Sequence, residues 1–485
     1  MPYNSVADES VLFIPVGTIC RGGVVDCTPE TGLVDAARLM QLHDLTGLVV
    51  VENETPVGIF SIRDFRRLVA ESDGDISGVT VKSGMTSILI TIKAQDCVMD
   101  AIFTMARHNI HRLGVVGADG RLIGLISATD LLSLQAKSPI YLNNDIEAAQ
   151  SVAQLRAVSS KMLDTVILAT KSGADVRGLV QLISHFNDAM TQRLIYLLEQ
   201  EEGISLPPGA AYLVLGSEGR GEQTLRTDQD SAIVYADDLS PQHHAQMERF
   251  AVRIVAALES LGVPLCPGNT MASNPQWRHS LSEWKHLVEQ WISVPQPEYM
   301  VNFGMFQDLR AVHGDLSLER QLHEHVLAMV KRNALFLVYV ARNILRFPPP
   351  LGMFGRFRVD KKGEHKGKID LKKAGIFAIT EGASLLALEA GVVDGTTWDK
   401  LELLGQRGIV SSTDLEIIEE SFSYLVRLRL QRQLKAISAG SKPTNQVDPL
   451  VMTDRECDRL RAALKGVSTF LHIIRDHYQL NLMSR

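Results

Sequence analysis

The first 136 residues repeat one pattern of apolar and polar positions. Two short apolar runs flank a polar turn in residues 47–64, and the same order recurs in residues 112–130. Apolar runs of this length, bounded by turn residues, predict β-hairpins. Apolar side chains three and four positions apart in residues 33–43 and 98–108 predict an amphipathic helix ahead of each hairpin. The repeat therefore predicts a β-α-β-β-α tandem over residues 10–136.

Beyond the repeat, the spacing of apolar residues becomes helical. Residues 137–204 predict a helical connector, because apolar side chains recur there every three or four positions. A Pro-Pro-Gly sequence at 207–209 ends that pattern and leads into strand-like runs, so a separate domain with a mixed sheet is expected over residues 205–315. Helical spacing returns in residues 316–485 and predicts a bundle. The pattern as a whole predicts an α+β multidomain protein.

Length and composition agree with several folded domains. The chain has 485 residues, and single hydrophobic cores stop growing near about 250–300 residues. Hydrophobic residues make up 45% and charged residues 22%, values typical of a soluble globular protein. The net charge of −7 provides no basic footprint for nucleic acid. We therefore expect no nucleic-acid partner.

The cysteines and the apolar stretches indicate where the protein resides. Five cysteines lie far apart without a C-x-x-C pair, so neither a zinc site nor a disulfide framework is predicted. The N-terminus has no basic region of the kind that opens a signal peptide, and the most apolar stretch, Ala334–Leu345, is short and contains Arg342. We expect a cytoplasmic protein with no membrane-spanning segment.

The candidate chemistry lies in residues 211–235. A strand-like run leads to Gly216-Ser217, and a second strand-like run carries Asp228 and Asp230. Strand periodicity predicts that the two carboxylates share one face, close enough to hold a hard cation such as Mg²⁺ or Mn²⁺. Glycine permits close approach of the backbone, so N–H groups and the serine hydroxyl could cradle a diphosphate. Arg220 could neutralise further phosphate charge.

This arrangement resembles the nucleotidyltransferase superfamily that includes DNA polymerase β. Its signature is h-G-[GS], roughly ten residues, then D-h-[DE]-h; Gln229 and Ser231 are polar where the signature prefers apolar residues. More closely, G-S-x-G-R-x-E…T-D-x-D resembles the nucleotidyltransferases allied to the protein-PII uridylyltransferases and glutamine-synthetase adenylyltransferases. The resemblance implies Mg²⁺-dependent transfer of UMP or AMP from a nucleoside triphosphate to a protein or small acceptor.

A third carboxylate usually completes a site of that superfamily. Asp308, in the strand-like run Met305–Asp315, is the candidate for a second-metal ligand or proton acceptor. Asp315 is better placed to cap the helix that follows. The turn-rich stretch 262–271 could contact a base, whereas Trp277 is more typical of a core or an interface.

The repeat resembles a pair of cystathionine-β-synthase (CBS) domains. In that family a G-h-h-[ST]-x-x-D segment lines a cleft for adenosine ligands, and Ser61 with Asp64, and Ser127 with Asp130, match it. The resemblance implies adenine-nucleotide binding and a face-to-face homodimer. A Ser followed three residues later by an Asp can equally cap a helix, so both roles stay open.

A basic segment, Arg356–Lys373, interrupts the helical C-terminal part. Eight Lys or Arg residues against three acids give it a net charge of +5. It is either a solvated loop, or a lid over triphosphate or dock for an acidic protein. Its end, Ile369–Gly375, resembles an L-K-x-G stretch of the uridylyl and adenylyl enzymes, which makes Lys372 and Lys373 candidate substrate-binding residues.

Two hypotheses follow from these motifs. The first is a nucleotidyltransferase regulated by adenine nucleotide at the CBS pair. The second is a non-catalytic regulatory protein that senses adenine nucleotides and whose transferase domain only binds nucleotide. The paired aspartates favour the first, since a site without catalysis has no need of two acids at that spacing.

Overall fold

The computed structural model describes most of the chain in two compact units. The described residues are 14–22, 25–43, 45–52, 55–87, 89–108, 110–128, 130–131, 139–171, 174–225, 227–294, 296–352, 355–360 and 365–480. The first unit comprises residues 1–142 and 171–173, and the second comprises 143–170 and 174–485. Both ends of the predicted repeat, 10–13 and 132–136, lie outside the described residues.

The first unit contains the predicted tandem. Its strands are β1 (Arg21–Gly22), β2 (Asp26–Cys27), β3 (Gly47–Glu52), β4 (Thr55–Ser61), β5 (Thr91–Lys93), β6 (Arg112–Val116) and β7 (Leu122–Ser127). They form one sheet of order β2-β3-β4 and another of order β1-β7-β6-β5. Its helices include α1 (Leu33–Leu42), α2 (Ile62–Glu71) and α3 (Val98–His108).

The two copies agree in detail. In each, a hairpin pairs antiparallel while the strand before the helix pairs parallel with the hairpin's first strand. The register of the first hairpin shifts between Val50 and Val51, and that of the second shifts between Val115 and Val116. A shift at the same place in both copies shows that the sequence repeat is a repeat of strand geometry.

The second unit is built around one four-stranded sheet. Its strands are β8 (Ala210–Val214), β9 (Ser231–Tyr235), β10 (Arg278–Ser280) and β11 (Arg310–Gly314), in the order β10-β9-β8-β11. β8 pairs antiparallel with β9 and β11, and β10 pairs parallel with β9. Every residue of β8 and β9 is buried, which explains their continuous apolar runs: both faces of the sheet are covered.

Helices surround this sheet and continue to the C-terminus. They are α4 (Pro139–Ala148), α5 (Val152–Lys171), α6 (Val176–Glu202), α7 (Gly216–Gly219), α8 (Pro241–Ser260), α9 (Leu281–Ser293), α10 (Pro297–Phe306), α11 (Leu316–Arg332), α12 (Ala334–Ile344), α13 (Phe377–Glu389), α14 (Thr397–Gln406), α15 (Ser412–Ser438) and α16 (Asp454–His477). A short strand pair, β12 (Ile369–Asp370) with β13 (Gln446–Val447), and a π-helix, Lys372–Ile376, lie among them. The α+β architecture is as predicted.

Side-chain caps fix several helix starts. The Asp315 carboxylate accepts from the Ser317 N–H at 2.9 Å and so begins α11, as the sequence predicted. Thr396 and Asp399 form a reciprocal capping box at the start of α14. Such caps satisfy N–H groups that have no partner within the helix. Within the described ranges, no helix is both long enough and apolar enough to cross a bilayer.

Candidate functional site

A cavity of about 330 Å³ lies in the second unit beside the glycine turn and the aspartate pair. It brings the segment after β8 together with helices from the C-terminal third of the chain. The charged or polar residues on its wall that matter here are Ser217, Arg220, Thr227, Asp228, Asp230, Lys372, Glu381 and Arg429. Residues more than 200 positions apart thus face one space.

The aspartate pair stands just ahead of β9 rather than within it. The strand begins at Ser231, and residue 229 makes only an isolated bridge to Leu265, so the predicted position on the strand is wrong. The segment is nevertheless held straight, because the Leu215 N–H donates to the Asp230 carbonyl at 2.9 Å. Asp228 and Asp230 both line the cavity, as their spacing predicted.

The hydrogen bonds of Gln229 explain why this position is polar where the signature prefers an apolar residue. Its side chain is buried, and its amide nitrogen donates to the carbonyls of Val255 at 3.2 Å and Val263 at 3.1 Å. Its backbone N–H donates to the Pro264 carbonyl at 2.9 Å. A polar residue is satisfied here because α8 and the loop after it both offer carbonyl groups to it.

Asp230 is the more buried member of the pair. Burial raises the pKa of its carboxyl, and the neighbouring Asp228 raises it further, whereas the Cys266 thiol and Lys372 oppose the shift. Two carboxylates at one cavity wall are costly unless a cation compensates them. Oxygen donors of this kind are those that Mg²⁺ and Mn²⁺ take, so the residues present fit a divalent cation.

The glycine turn forms the short helix α7 and tolerates no larger residues at two positions. Gly216 has φ +54°, and a Cβ there would stand 3.7 Å from an Asp230 carboxylate oxygen. At Gly219 a Cβ would fall 1.7 Å from the Asp308 carbonyl oxygen. The turn can therefore approach the segment before β11 only because Gly219 has no side chain, whereas at Gly216 it is the left-handed backbone conformation that favours glycine.

Arg220 and Asp308 belong to a buried ion cluster. The Asp308 carboxylate accepts from Arg220 at 2.5 Å and from Lys400 at 2.6 Å, while Arg220 also donates to Glu222 at 3.1 Å. Burial alone would raise the pKa of Asp308, but Lys400 and Arg220 hold it below its usual value. Arg220 lines the cavity; Asp308 does not. Asp308 therefore contacts a residue of the cavity wall, and its role as the third carboxylate of the site stays a prediction.

Glu381, from α13, is another carboxylate at this cavity. Its carboxylate lines the cavity and accepts a hydrogen bond from the Gln307 amide at 3.1 Å. Burial and the nearby Asp308 raise its pKa to about 7, against the opposing effect of Arg220, Lys400 and Lys372. Sequence reasoning missed it, although an acid inside an otherwise apolar helix was a usable signal.

Two cations besides Arg220 face the same cavity. Lys372 opens the π-helix, a rare element that often marks functional sites, and Arg429 comes from α15. Burial lowers the pKa of Arg429 to about 10, with Asp370 and Asp228 opposing, and its side chain donates to Asn445 at 2.7 Å. Arg429 was not predicted, because nothing in the local sequence of α15 distinguishes it from a surface arginine.

The other predicted lysine faces elsewhere. Lys373 lines a separate cavity of about 400 Å³ together with Arg358, Lys368 and Asp370. The structure therefore places only one of the two predicted lysines beside the aspartate pair. Lys361 and Lys362 of the basic segment lie outside the described residues.

A second cavity, of about 340 Å³, adjoins the site. It shares Thr227 and Asp230 with the first cavity and is lined mainly by apolar side chains. Asn187 and Gln223 contribute polar groups and hydrogen bond to each other at 2.8 Å. Gly262 of the predicted turn-rich stretch lies on its wall.

Trp277 is a core residue, as its type suggested. It is buried and packs against Trp284, with ring centroids 6.0 Å apart.

In the first unit, both Ser–Asp pairs form helix-capping contacts. The Ser61 hydroxyl donates to Asp64 at 2.6 Å, and the backbone contacts of a capping box are complete. Ser127 and Asp130 repeat this geometry, with the hydroxyl 2.5 Å from the carboxylate. The capping role is thus observed, and the ribose role stays a prediction.

Family models match three parts of the chain. Residues 160–298 match the family described as "Putative nucleotidyltransferase DUF294", and residues 334–478 match "Putative nucleotidyltransferase substrate binding domain". Residues 16–71 and 76–137 match the CBS domain. These matches confirm the resemblance to a CBS-containing nucleotidyltransferase, while the uridylyl or adenylyl specificity stays a prediction.

Curated relatives share a smaller part of the chain. An uncharacterized protein of Methanopyrus kandleri is 28% identical over 123 residues, 25% of this chain and 63% of that protein. Inosine-5'-monophosphate dehydrogenase of Korarchaeum cryptofilum is 36% identical over 108 residues, 22% of this chain and 21% of that enzyme. The chain thus spans less than two thirds of either relative.

Among solved structures, an uncharacterized conserved protein from Pyrococcus horikoshii is 26% identical. The match covers 26% of this chain and 93% of that one, with a TM-score of 0.24.

Proposed function

We propose that this chain, which belongs to the CBS-containing DUF294 nucleotidyltransferase family, transfers UMP or AMP from a nucleoside triphosphate to a protein or small acceptor. One observation carries the proposal: a single cavity collects the aspartate pair, the glycine turn, three cations and the Glu381 carboxylate. A metal-dependent attack on an α-phosphorus needs each of these groups, since such transfer is catalysed mostly by positioning and electrostatics.

Acidic and basic side chains both face the cavity. Asp228 and Asp230 would hold Mg²⁺ or Mn²⁺, which when bound polarises phosphate oxygens and neutralises charge that develops on the leaving pyrophosphate. Lys372 and Arg429 bind the phosphates, since both line the cavity, Lys372 near Asp230 and Arg429 near Asp228. The Ser217 hydroxyl and the N–H groups that begin the glycine turn, at Gly216 and Ser217, complete the phosphate contacts. Arg220, tied to Asp308 and Glu222, positions the turn.

Glu381 is the proton acceptor of the proposed reaction. The acceptor's hydroxyl oxygen forms a bond to the α-phosphorus, the bond from that phosphorus to pyrophosphate breaks, and the hydroxyl proton moves to the Glu381 carboxylate. A base with a pKa near the working pH is suited to this task, and burial raises the pKa of Glu381 to about 7.

The adjoining apolar cavity is suited to the nucleoside. It meets the phosphate cavity at Thr227 and Asp230, so a triphosphate beside Asp230 can extend its sugar and base into it. Asn187 and Gln223 supply the polar groups that orient a base in a mostly apolar pocket.

The CBS pair supplies regulation in this proposal. Adenine nucleotide binds at the Ser61–Asp64 and Ser127–Asp130 segments, and two chains associate through their CBS pairs. The support is the match of both segments to the family motif and their equivalent geometry in the two copies. The basic segment ending at Lys373 is the proposed dock for an acidic protein acceptor.

The test is label transfer. The protein is incubated with Mg²⁺ or Mn²⁺, each α-³²P-labelled nucleoside triphosphate and fractions of a cell lysate. Wild type should label a protein or a small molecule, and the Asp228→Asn/Asp230→Asn double variant should not. Asp238→Asn, an exposed acid shortly after β9, is the matched control and should keep the activity.

Absence of label with every triphosphate and every fraction would overturn the enzymatic proposal. If the protein then still bound nucleotide in calorimetry, the non-catalytic sensor would be the better description.

A further inference from the structure

Three potential metal ligands meet at a place the nucleotidyl-transfer chemistry does not use. Glu319 and His323 stand one turn apart on α11, and Asp394 lies in the segment between α13 and α14. One ligand atom from each lies within 4.8 Å of the others. Side chains four positions apart on a helix share one face, so both α11 residues are directed to the same point.

The imidazole of His323 is oriented in the manner of a metal ligand. Its ring is buried, and Nε2 lies 3.0 Å from the Leu309 carbonyl oxygen. A carbonyl only accepts, so Nε2 carries the hydrogen and donates. In the neutral ring Nδ1 then presents a lone pair, 3.3 Å from an Asp394 carboxylate oxygen. A backbone carbonyl that fixes the tautomer of a ligating histidine is the usual outer contact of protein metal sites.

The carboxylates of Glu319 and Asp394 can each offer an oxygen to a cation, for different reasons. Oε2 of Glu319 accepts from the Ala311 N–H at 2.9 Å, which orients the group and leaves Oε1 for a cation. Asp394 is exposed, so it can adjust to an ion at little cost. Arg320 and Glu324 border the same recess but are not among the three converging groups.

We infer that Glu319, His323 and Asp394 bind a Zn²⁺ ion, with water in the remaining position. One imidazole nitrogen and two carboxylate oxygens suit zinc, whereas Mg²⁺ and Ca²⁺ prefer oxygen ligands alone. The site joins α11, which follows β11 of the sheet, to the segment that follows α13. It thereby fastens the helix that carries Glu381 to the sheet domain.

Zinc titration of the full-length protein tests the site. Because Asp228 and Asp230 could take up metal, the titration is done by calorimetry in the Asp228→Asn/Asp230→Asn background after removal of metal by a chelator. We expect one equivalent of Zn²⁺ to bind, and the thermal unfolding midpoint to rise on binding. Mg²⁺ at the same concentration should leave that midpoint unchanged.

Variants separate the zinc site from a simple ion pair. Asp394→Asn and His323→Gln should each weaken Zn²⁺ binding at least about tenfold, whereas Glu324→Gln should keep the parent affinity. Asp394 is exposed, so its substitution keeps the fold intact even if the buried His323 variant unfolds. Failure of the parent to bind Zn²⁺, or equal affinity in Asp394→Asn, would overturn the inference and leave His323 and Asp394 as an ion pair.

Discussion

Asp308 is a buried carboxylate and Glu381 a half-buried one near the same cavity, and their surroundings are opposite. Asp308 contacts two cations, Arg220 and Lys400, and these hold its pKa below its usual value. Glu381 accepts one hydrogen bond from an uncharged amide, and burial raises its pKa to about 7. A carboxyl that is removed from water but contacts cations stays ionised and serves the structure. A carboxyl that is removed from water without a cation in contact has a raised pKa and can exchange a proton near neutral pH.

The largest effect on stability is expected at Asp308. Asp308→Asn leaves Lys400 and Arg220 without their shared counter-charge, and removing one partner of a buried pair costs about 3–5 kcal/mol. Urea unfolding followed by tryptophan fluorescence reports on the second unit, since residues 277, 284, 291 and 398 are the chain's four tryptophans. Asp238→Asn should unfold like wild type. An unchanged midpoint in Asp308→Asn would contradict the structural role.

At Glu381 the same kind of change should remove activity and leave the fold. Glu381→Gln keeps the volume and the contact to Gln307 but cannot take a proton, so label transfer should fall about 100-fold or more. The urea midpoint should not fall, because the glutamine replaces a group whose charged form burial disfavours. A variant with wild-type activity would remove Glu381 from the reaction.

The pH dependence should separate the two acids further. The folded pKa of Glu381 is raised above the usual value, so its protonated form stabilises the fold at low pH and this contribution is lost as pH rises through about 7. Transfer should increase about tenfold per pH unit below 7 and level off above it, and Glu381→Gln should lack this rise. Asp308 has the opposite sign: its stabilisation holds at neutral pH and is lost in acid.

A smaller effect is expected at the neighbouring lysines. Lys372→Met should raise the KM for the triphosphate about tenfold, because one charge-assisted phosphate contact is lost. Lys373→Met is the matched control, since Lys373 lines a different cavity, and its KM should stay near that of wild type. Equal effects of both substitutions would show that general positive charge, rather than position, is what matters.

The smallest effect is expected at a third carboxylate, Asp64, which forms a helix-capping box with Ser61. Ser61→Ala removes the hydroxyl that donates a hydrogen bond to the Asp64 carboxylate. This loss should lower the free energy of unfolding of the first unit by about 1 kcal/mol, which differential scanning calorimetry can measure. If the hydroxyl also contacts ribose, calorimetric binding of AMP should weaken in the same variant. Unchanged AMP binding would leave Ser61 a cap alone.

The sequence predicted those parts of the site that lie close together in the chain. The Gly216 turn and the pair at Asp228 and Asp230 are recognisable because spacing along one strand-turn-strand unit sets their geometry. The position of Asp308 in the chain makes it the predicted third carboxylate. Its protonation, however, depends on a contact with Lys400, which lies 92 residues further on. Glu381 was missed for the same reason, since the tertiary fold decides which buried acid gains cationic partners.

The fold shows the same division. The tandem repeat, the helix caps at Asp64 and Asp315 and the apolar strands follow from local patterns. The predicted start of β9 is three residues early, because the backbone before the strand pairs with loop residues at Pro264 and Leu265 and has the same alternation as a strand.

The buried ion cluster of Arg220, Asp308 and Lys400 connects the two regions that match nucleotidyltransferase family models. Arg220 lies in residues 160–298, Lys400 lies in residues 334–478, and Asp308 stands between these ranges. A gene fragment that encodes only the first region would produce a protein in which Arg220 lacks both Asp308 and the lysine that shares it. Over evolution the two regions should therefore be inherited, exchanged and lost together, as one heritable module.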